Sequence, residues 1–166
     1  MKRSLLILGA GQYGRLVQET AEAIGRFERI DFLDDNSPIA IGRLTDFQDF
    51  AENYDSAFVA MGNPGLRMQW LDKLEQAGYD LPVLIHPKAY VSPSAVLGKA
   101  TIVEPMAVVN TEAIVEMGGL LCAGCVVNHN AHLMPVCQID CNAVVASNAT
   151  VPEGAKVCSG VVYERK

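Results

Sequence analysis

The chain has 166 residues, of which 50% are hydrophobic, with a mean hydropathy of +0.18, a formal net charge of −6 and a pI near 5.0. It carries 8 basic and 13 acidic residues before Ile85, and 5 basic and 6 acidic from there on. Neither half therefore offers the basic face that nucleic acid requires. No run approaches the roughly 18 apolar residues of a membrane span, and the start MKRSLLILGAGQYG shows no cleavage-like site. The expectation is a cytoplasmic protein that neither inserts into a membrane nor binds nucleic acid.

Taken along the chain, Ser4 to Leu8 reads as a buried strand, Gly9 to Gly14 as a glycine turn, and Arg15 to Ile24 as a helix. Ile30 to Leu33 is a second strand that ends in Asp34-Asp35-Asn36. Phe47 to Glu52 is read as a short helix, Ser56 to Met61 as a third strand, and Gly65 to Ala77 as a helix stopped by Gly78. This predicts a small α/β unit over residues 1–82.

Gly9-x-Gly11-x-x-Gly14 after a strand is the dinucleotide-type fingerprint, and Asp34 or Asp35 lies about 20 residues on, where a ribose-binding carboxylate belongs. Bare glycine backbone lets a pyrophosphate approach, and the positive end of the following helix favours that anion. A tight turn that holds no ligand reads the same way. Too few residues separate this loop from the second half for two mononucleotide halves, so a single nucleotide, such as the UDP of a sugar nucleotide, fits better. Asn63 and Arg67 follow the third strand, at the sheet edge where ligands bind in open α/β folds. Arg67 either holds a phosphate or covers the helix surface.

From Ile85 to Val157 every sixth residue is aliphatic, as in Val109, Val115, Leu121, Val127 and Leu133. A second series, including Ala107, Ala113, Cys125 and Ala131, places a small residue two positions before each of these. A period of six suits neither an amphipathic helix nor an ordinary sheet. It suits a parallel β-helix with one short face per hexad and three faces per coil. Each inward residue then stacks on the one 18 positions earlier, at about 4.8 Å, over residues 83–166. Ser92, Asn110, Asn128, Asn142 and Asn148 suit the corners, where left-handed φ values and side-chain to backbone bonds are useful. The period leaves the hand of the coil open. A prism with flat faces buries more apolar area when three copies pack around one axis, which predicts a homotrimer.

All five cysteines fall in the repeat: Cys122, Cys125, Cys137, Cys141 and Cys158. Cys125 and Cys137 occupy small inward slots as reduced fillers. A zinc site from Cys122 and Cys125 with His129 and His132 is the sharper alternative, but no second C-x-x-C exists to complete it. The expectation is no metal.

The stretches LLILGAGQYGRLVQET, FLDDN, VAMGNPGLRMQWLDKL, LIHPKAYVSPSAVLGKATIVEPMAVVN and CAGCVVNHNA, covering nearly the whole chain, carry a resemblance. It is to the sugar O- and N-acetyltransferases of the sialic acid O-acetyltransferase and pilin-glycan acetyltransferase type. The resemblance implies an α/β plus β fold, with a small Rossmann-like nucleotide-sugar-binding domain (1–82) followed by a left-handed parallel β-helix of hexapeptide repeats (83–166). It implies acetyl-CoA as co-substrate, and as acceptor an amino or hydroxyl group of a sugar or nucleotide-linked sugar in surface glycan biosynthesis. Active sites are then shared between the subunits of a homotrimer.

By the same resemblance His129 is the general base, since a neutral imidazole can take the proton of an attacking amine or hydroxyl. Asn128 flanks it. Ser147, one coil on, offers its backbone N–H as an oxyanion donor, and Ser147, Gln138 and Asn148 are the candidate acyl-donor contacts. Gly9, Gly11, Gln12, Tyr13, Asp34, Asp35, Asn63 and Arg67 are the candidate substrate-binding residues. The chain departs from the family at three places. Asn128 and Asn130 stand where the base is usually flanked by carboxylates, Gly11-Gln12-Tyr13 replaces Gly-Gly-His, and Gln138 replaces a histidine nine residues after the base. Only one hexad boundary, Val157, is expected after the Ser147 coil, which implies a shortened groove for CoA. A non-catalytic nucleotide-sugar-binding relative, or a trimeric scaffold, is the alternative reading.

Overall fold

The computed structural model describes residues 3–165, and the chain divides into two units, residues 1–82 and 83–166. In the first, strand β1 (Arg3–Leu8) lies between β2 (Phe27–Leu33) and β3 (Ser56–Val59) in a parallel sheet. A central parallel strand is covered on both faces, which is why Leu5, Leu6, Ile7 and Leu8 are all fully buried and show no polar alternation. Helix α1 (Gln12–Ile24) returns the chain from β1 to β2 and ends on Gly25, whose φ of 71° allows its N–H to reach Ala21 O and Glu22 O. It begins at Gln12 rather than Arg15, because Gly11 is itself the residue before the first turn.

Strand β2 starts at Phe27, before the expected Ile30, and β3 ends at Val59 rather than Met61. The expected helix over Phe47 to Glu52 is instead a 3-10 turn at Leu44–Gln48, tied by the Arg43 N–H donating to Asp46 Oδ2 at 2.8 Å. Helix α2 (Pro64–Gln76) opens with proline at its first position, and Asn63 Oδ1 accepts the Leu66 N–H at 2.9 Å.

The second unit is a stack of two-residue strands on three faces, the form that the hexad period predicts. The first face pairs Leu84–Ile85, Ile102–Val103, Leu120–Leu121, Gln138–Ile139 and Lys156–Val157. The second holds Tyr90–Val91, Val108–Val109, Val126–Val127, Val144–Val145 and Val162–Tyr163, and the third Val96–Leu97, Ile114–Val115, His132–Leu133 and Thr150–Val151. All pairs are parallel and 18 residues apart, as Leu121 with Val103 and Ile139. Val109, Leu121, Val127, Leu133, Ile139 and Val145 are fully buried, with Ala107, Ala113, Cys125, Ala131, Cys137 and Ala143 equally buried beside them. Alternating large and small inward residues is what a narrow axis can hold at native packing density. The stack continues one hexad beyond Val157, with Tyr163 paired to Val145. At the other end no coil precedes the first, so Ile85 remains 38% exposed.

The corners differ from the expectation in one respect. From Ala100 (55°) onward, left-handed φ falls on the third residue of the corner: Met106 (62°), Glu112 (56°), Asn130 (56°), Val136 (51°), Asn142 (57°) and Asn148 (62°), with Gly118, Gly124, Gly154 and Gly160 in the same register. Asn142 and Asn148 behave as expected. Ser92, Asn110 and Asn128 stand two residues earlier, at the first corner position, where Asn110 Nδ2 donates to Asn128 Oδ1 at 3.2 Å and Ser92 Oγ meets Ser94 Oγ at 3.2 Å. The second corner residue donates no backbone N–H to the ladder at Thr111, His129 or Ser147, though the Thr111 and His129 carbonyls accept from Asn130 and Asn148. Pro87, Pro93, Pro105 and Pro135 fill equivalent places, because a residue without an N–H loses nothing there.

A side chain in the left-handed region costs roughly 1–2 kcal/mol unless it is glycine or asparagine. Met106 is 67% exposed, so little packing is lost when its side chain is removed. Met106→Gly is expected to raise the melting temperature of the β-helix by about 2–4 °C, read by thermal circular dichroism. A lowered value would contradict this account of the corners.

Candidate active site

The glycine loop shows which glycines the fold itself demands. Gly9 has φ 105°, and a Cβ there would lie 2.9 Å from the Ala60 carbonyl oxygen; a Cβ on Gly14 would collide with the Gly9 carbonyl oxygen. Gly11 is different. Its φ is −74° and nothing lies within 4 Å of where a Cβ would sit, so neither conformation nor packing within the chain requires glycine there. No side chain caps α1 at Gly11, and its first turn holds no acidic residue. The approach to the α1 N-terminus is thus clear at the Gly11 Cβ position, and a helix N-terminus favours an anion.

The other candidates follow the carboxyl ends of the same strands. Asp34 Oδ2 accepts the Ala10 N–H and Oδ1 the Asn36 N–H, each at 2.8 Å. The Ala10 bond first, then that from Asn36, holds its carboxyl below the usual carboxylate range. Asp34 is therefore ionised and ties the end of β2 to the glycine loop. Asp35 is exposed and accepts the Leu44 N–H at 3.1 Å. Gln12 is exposed and Tyr13 half-buried. Asn63 uses its oxygen on the α2 cap. Arg67 does not cover a helix surface: it is 1% exposed, and Nη1 donates to Met61 O at 2.7 Å and Gly62 O at 3.2 Å. A buried guanidinium bonded to those carbonyls fixes the loop after β3.

In the β-helix, His129 is the exposed second residue of the corner between the second and third faces, with Thr111 one coil before it and Ser147 one coil after. Its Nδ1 lies 3.1 Å from Asn130 Nδ2. Asn128, by contrast, accepts from Asn110, so of the two flanking amides it is Asn130 that meets the ring. Asn148 donates its N–H to His129 O at 3.2 Å, which holds the next coil in register and leaves the Ser147 N–H beside the histidine, outside the ladder.

Gln138 lies elsewhere. It projects from the first face, where Nε2 donates to Asp140 Oδ1 at 2.7 Å and Lys156 Nζ pairs with Asp140 Oδ2 at 3.1 Å. In a three-sided coil the corner between the second and third faces is opposite the first. His129, Ser147 and Asn148 thus gather at one corner, and Gln138 faces the other way in the same copy.

His132 points out from the third face, with Nε2 2.6 Å from Glu116 Oε1. The zinc alternative fails on placement: Cys125 is inward and fully buried, Cys122 sits at a different corner from His129, and burial pushes the Cys125 thiol up to about 12. Among the described residues no group of three or more His, Cys, Asp or Glu could hold a metal ion, and no helix is long and apolar enough to cross a membrane.

Glu104 is a further buried group, 3% exposed, whose Oε2 accepts the Ala123 N–H at 2.9 Å. Burial pushes its carboxyl above the ordinary range, against the Ala123 N–H and the Cys122 thiol, which favour the ionised form. Its contribution to stability is therefore fully present below the unfolded-state value and is lost as pH rises through the raised native one. Glu104→Gln keeps an oxygen for Ala123 and removes that penalty. The variant's melting temperature is expected to exceed the parent's at pH 8, with the gain shrinking toward pH 4; a gain that grows on acidification would contradict this.

A small α/β unit followed by a hexapeptide β-helix is the architecture this chain shares with acetyltransferases of known structure. The PglD N-terminal domain family matches residues 4–74. The acetyltransferase domain of PglB from Neisseria gonorrhoeae FA1090 is 31% identical, with a TM-score of 0.94, over 98% of this chain and 83% of that one. The same domain in complex with acetyl coenzyme A matches with a TM-score of 0.93 at 31% identity, over 99% of this chain and 83% of that one. A GDP-perosamine N-acetyltransferase from Caulobacter crescentus, in complex with CoA and GDP-perosamine, shares the fold at 21% identity and a TM-score of 0.63, over 96% and 92% of the two chains. The chain belongs to the hexapeptide-repeat sugar acetyltransferases of the pilin-glycan type.

Proposed function

We propose that this protein transfers the acetyl group of acetyl-CoA to an amino or hydroxyl group of a nucleotide-linked sugar used in surface glycan biosynthesis, with His129 as general base at a subunit interface of a homotrimer. The observation that carries the reading is the His129 corner, where an exposed histidine lies one coil before Ser147, whose N–H is outside the ladder, in a chain 31% identical to an acetyl-CoA-bound acetyltransferase domain.

The chemistry follows from that pair. The acceptor nitrogen or oxygen attacks the thioester carbonyl carbon while His129 takes its proton. The carbonyl oxygen gains negative charge, which the Ser147 N–H stabilises at the moment it develops. As the C–S bond breaks, the proton returns from the imidazolium to the CoA sulfur. Asn130 holds the ring, and Asn148 keeps the Ser147 coil in place. In the first unit, the open α1 terminus at Gly11, with Gln12, Tyr13, Asp34, Asp35 and Asn63 around it, supplies affinity for the nucleotide phosphates and ribose, and Arg67 acts by shaping the loop.

The homotrimer is supported by placement. Gln138 and His129 face opposite ways in one copy, so a site that uses both needs a second copy. Outward apolar side chains on the second and third faces, Tyr90 and Val162 at 55% exposure and Val96 at 58%, offer surface for such packing. A cytoplasmic setting fits cysteines of which none forms a disulfide.

Calorimetric titration with acetyl-CoA, and separately with UDP and UDP-linked amino sugars, tests the reading. Saturable binding of both near one site per subunit, followed by thiol release on mixing, is expected. Nucleotide binding without CoA binding would point to a non-catalytic relative, and binding of neither to a scaffold.

A further inference from the structure

The Nδ1 contact of His129 leaves one question of chemistry open, and the coil below answers it. If Asn130 presents Nδ2–H to the ring, Nδ1 carries the lone pair, the proton sits on Nε2, and the outer nitrogen cannot act as a base. If the amide is turned over, Nδ1–H donates to Asn130 Oδ1 and the Nε2 lone pair is free. Something must choose between these, since the amide alone satisfies both.

We propose that Glu112 is a positioning residue that fixes the Asn130 amide, and through it the catalytic tautomer of His129. This rests on reading His129 as the base. Glu112 and Asn130 are 18 residues apart, in the register that pairs Ile114 with His132. Both are the third residue of the same corner, and both have φ 56°. Equivalent backbone conformations one coil apart, at about 4.8 Å, project their side chains in parallel. The neighbouring column shows that such a pair reaches: Asn110 Nδ2 donates to Asn128 Oδ1 at 3.2 Å across the same two coils. A carboxylate only accepts, so Glu112 can engage Asn130 solely through Nδ2, which turns Oδ1 toward His129 Nδ1–H. The Glu112 corner is braced by its own N–H donating to Ser94 Oγ at 3.1 Å. The carboxylate that the family sets beside its base is thus supplied here from the preceding coil, through an amide.

Histidine 15N–1H correlation spectra of the intact protein, with His129 assigned by its loss in His129→Ala, test this without turnover. The native ring is expected as the Nδ1–H tautomer, and Glu112→Gln, which can both donate and accept, is expected to yield a mixture. In kinetics Glu112→Gln is expected to lower kcat about 10-fold with KM unchanged, and to add little in an Asn130→Ala background. A native Nε2–H tautomer, or a Glu112→Gln loss undiminished in that background, overturns the proposal. Full activity of His129→Ala would instead overturn the base assignment, a different outcome from either.

Discussion

His129→Ala is expected to lower kcat by about 100- to 10,000-fold, or about 3–5 kcal/mol of transition-state stabilisation, with little change in acetyl-CoA affinity. The reason is that proton removal is needed only as the acceptor attacks, so the loss falls on the chemical step and not on ground-state binding. The variant should fold as the parent does. His129 is exposed, its N–H makes no ladder bond, and its carbonyl, which accepts from Asn148, survives the substitution. Its neutral partner Asn130 offers no charge to the imidazolium, which argues for the lower part of that range. Steady-state thiol release with matched far-UV spectra is the measurement. A kcat within threefold of the parent would remove His129 from the mechanism.

Gly14→Ala is expected to destabilise the first unit by about 3 kcal/mol or more. The new Cβ would enter the Gly9 carbonyl oxygen, a backbone atom that cannot turn aside, while Gly9 is itself pinned against Ala60 and donates its N–H to Leu33 O at 2.9 Å. Relief would require α1 to move away from β1, uncovering Val17 and Ala21, both fully buried. Gly11→Ala is the control, since nothing lies within 4 Å of its Cβ position. It should leave stability nearly unchanged while weakening nucleotide binding. Urea unfolding of both variants separates the two roles; equal destabilisation would mean that Gly11 is structural too.

The two results illustrate how differently the two units could be read. The β-helix was legible because each hexad repeats the same constraint: Val127, Leu133 and Ile139 point inward, Cys125, Ala131 and Cys137 fill the narrow places, and no alternative structure has that period. The corner geometry was less so. Asparagine's tolerance of left-handed φ suggested Asn110 and Asn128, yet the turn lies two residues later, at Glu112 and Asn130, because the strand bond of each coil is made before the chain bends. In the first unit the three strands and two helices follow from apolar runs and glycines, while the 3-10 turn at Leu44–Gln48 is held by polar contacts, Arg43 N–H to Asp46 and Leu44 N–H to Asp35, which leave no periodic trace.

For the site, the sequence alone put forward the histidine, the glycine loop and the aspartates as candidates, because each is a residue type whose chemistry is scarce and whose spacing sets its place. Tertiary structure decided which groups they meet. It turned Arg67 into a buried brace, engaged Asp34 with Ala10, gave His129 to Asn130 rather than Asn128, and set Gln138 on the face opposite the histidine. Contacts of this kind join residues that are distant in the chain, or choose between adjacent ones by the direction of a Cβ, and a sequence does not record that direction until the backbone is folded.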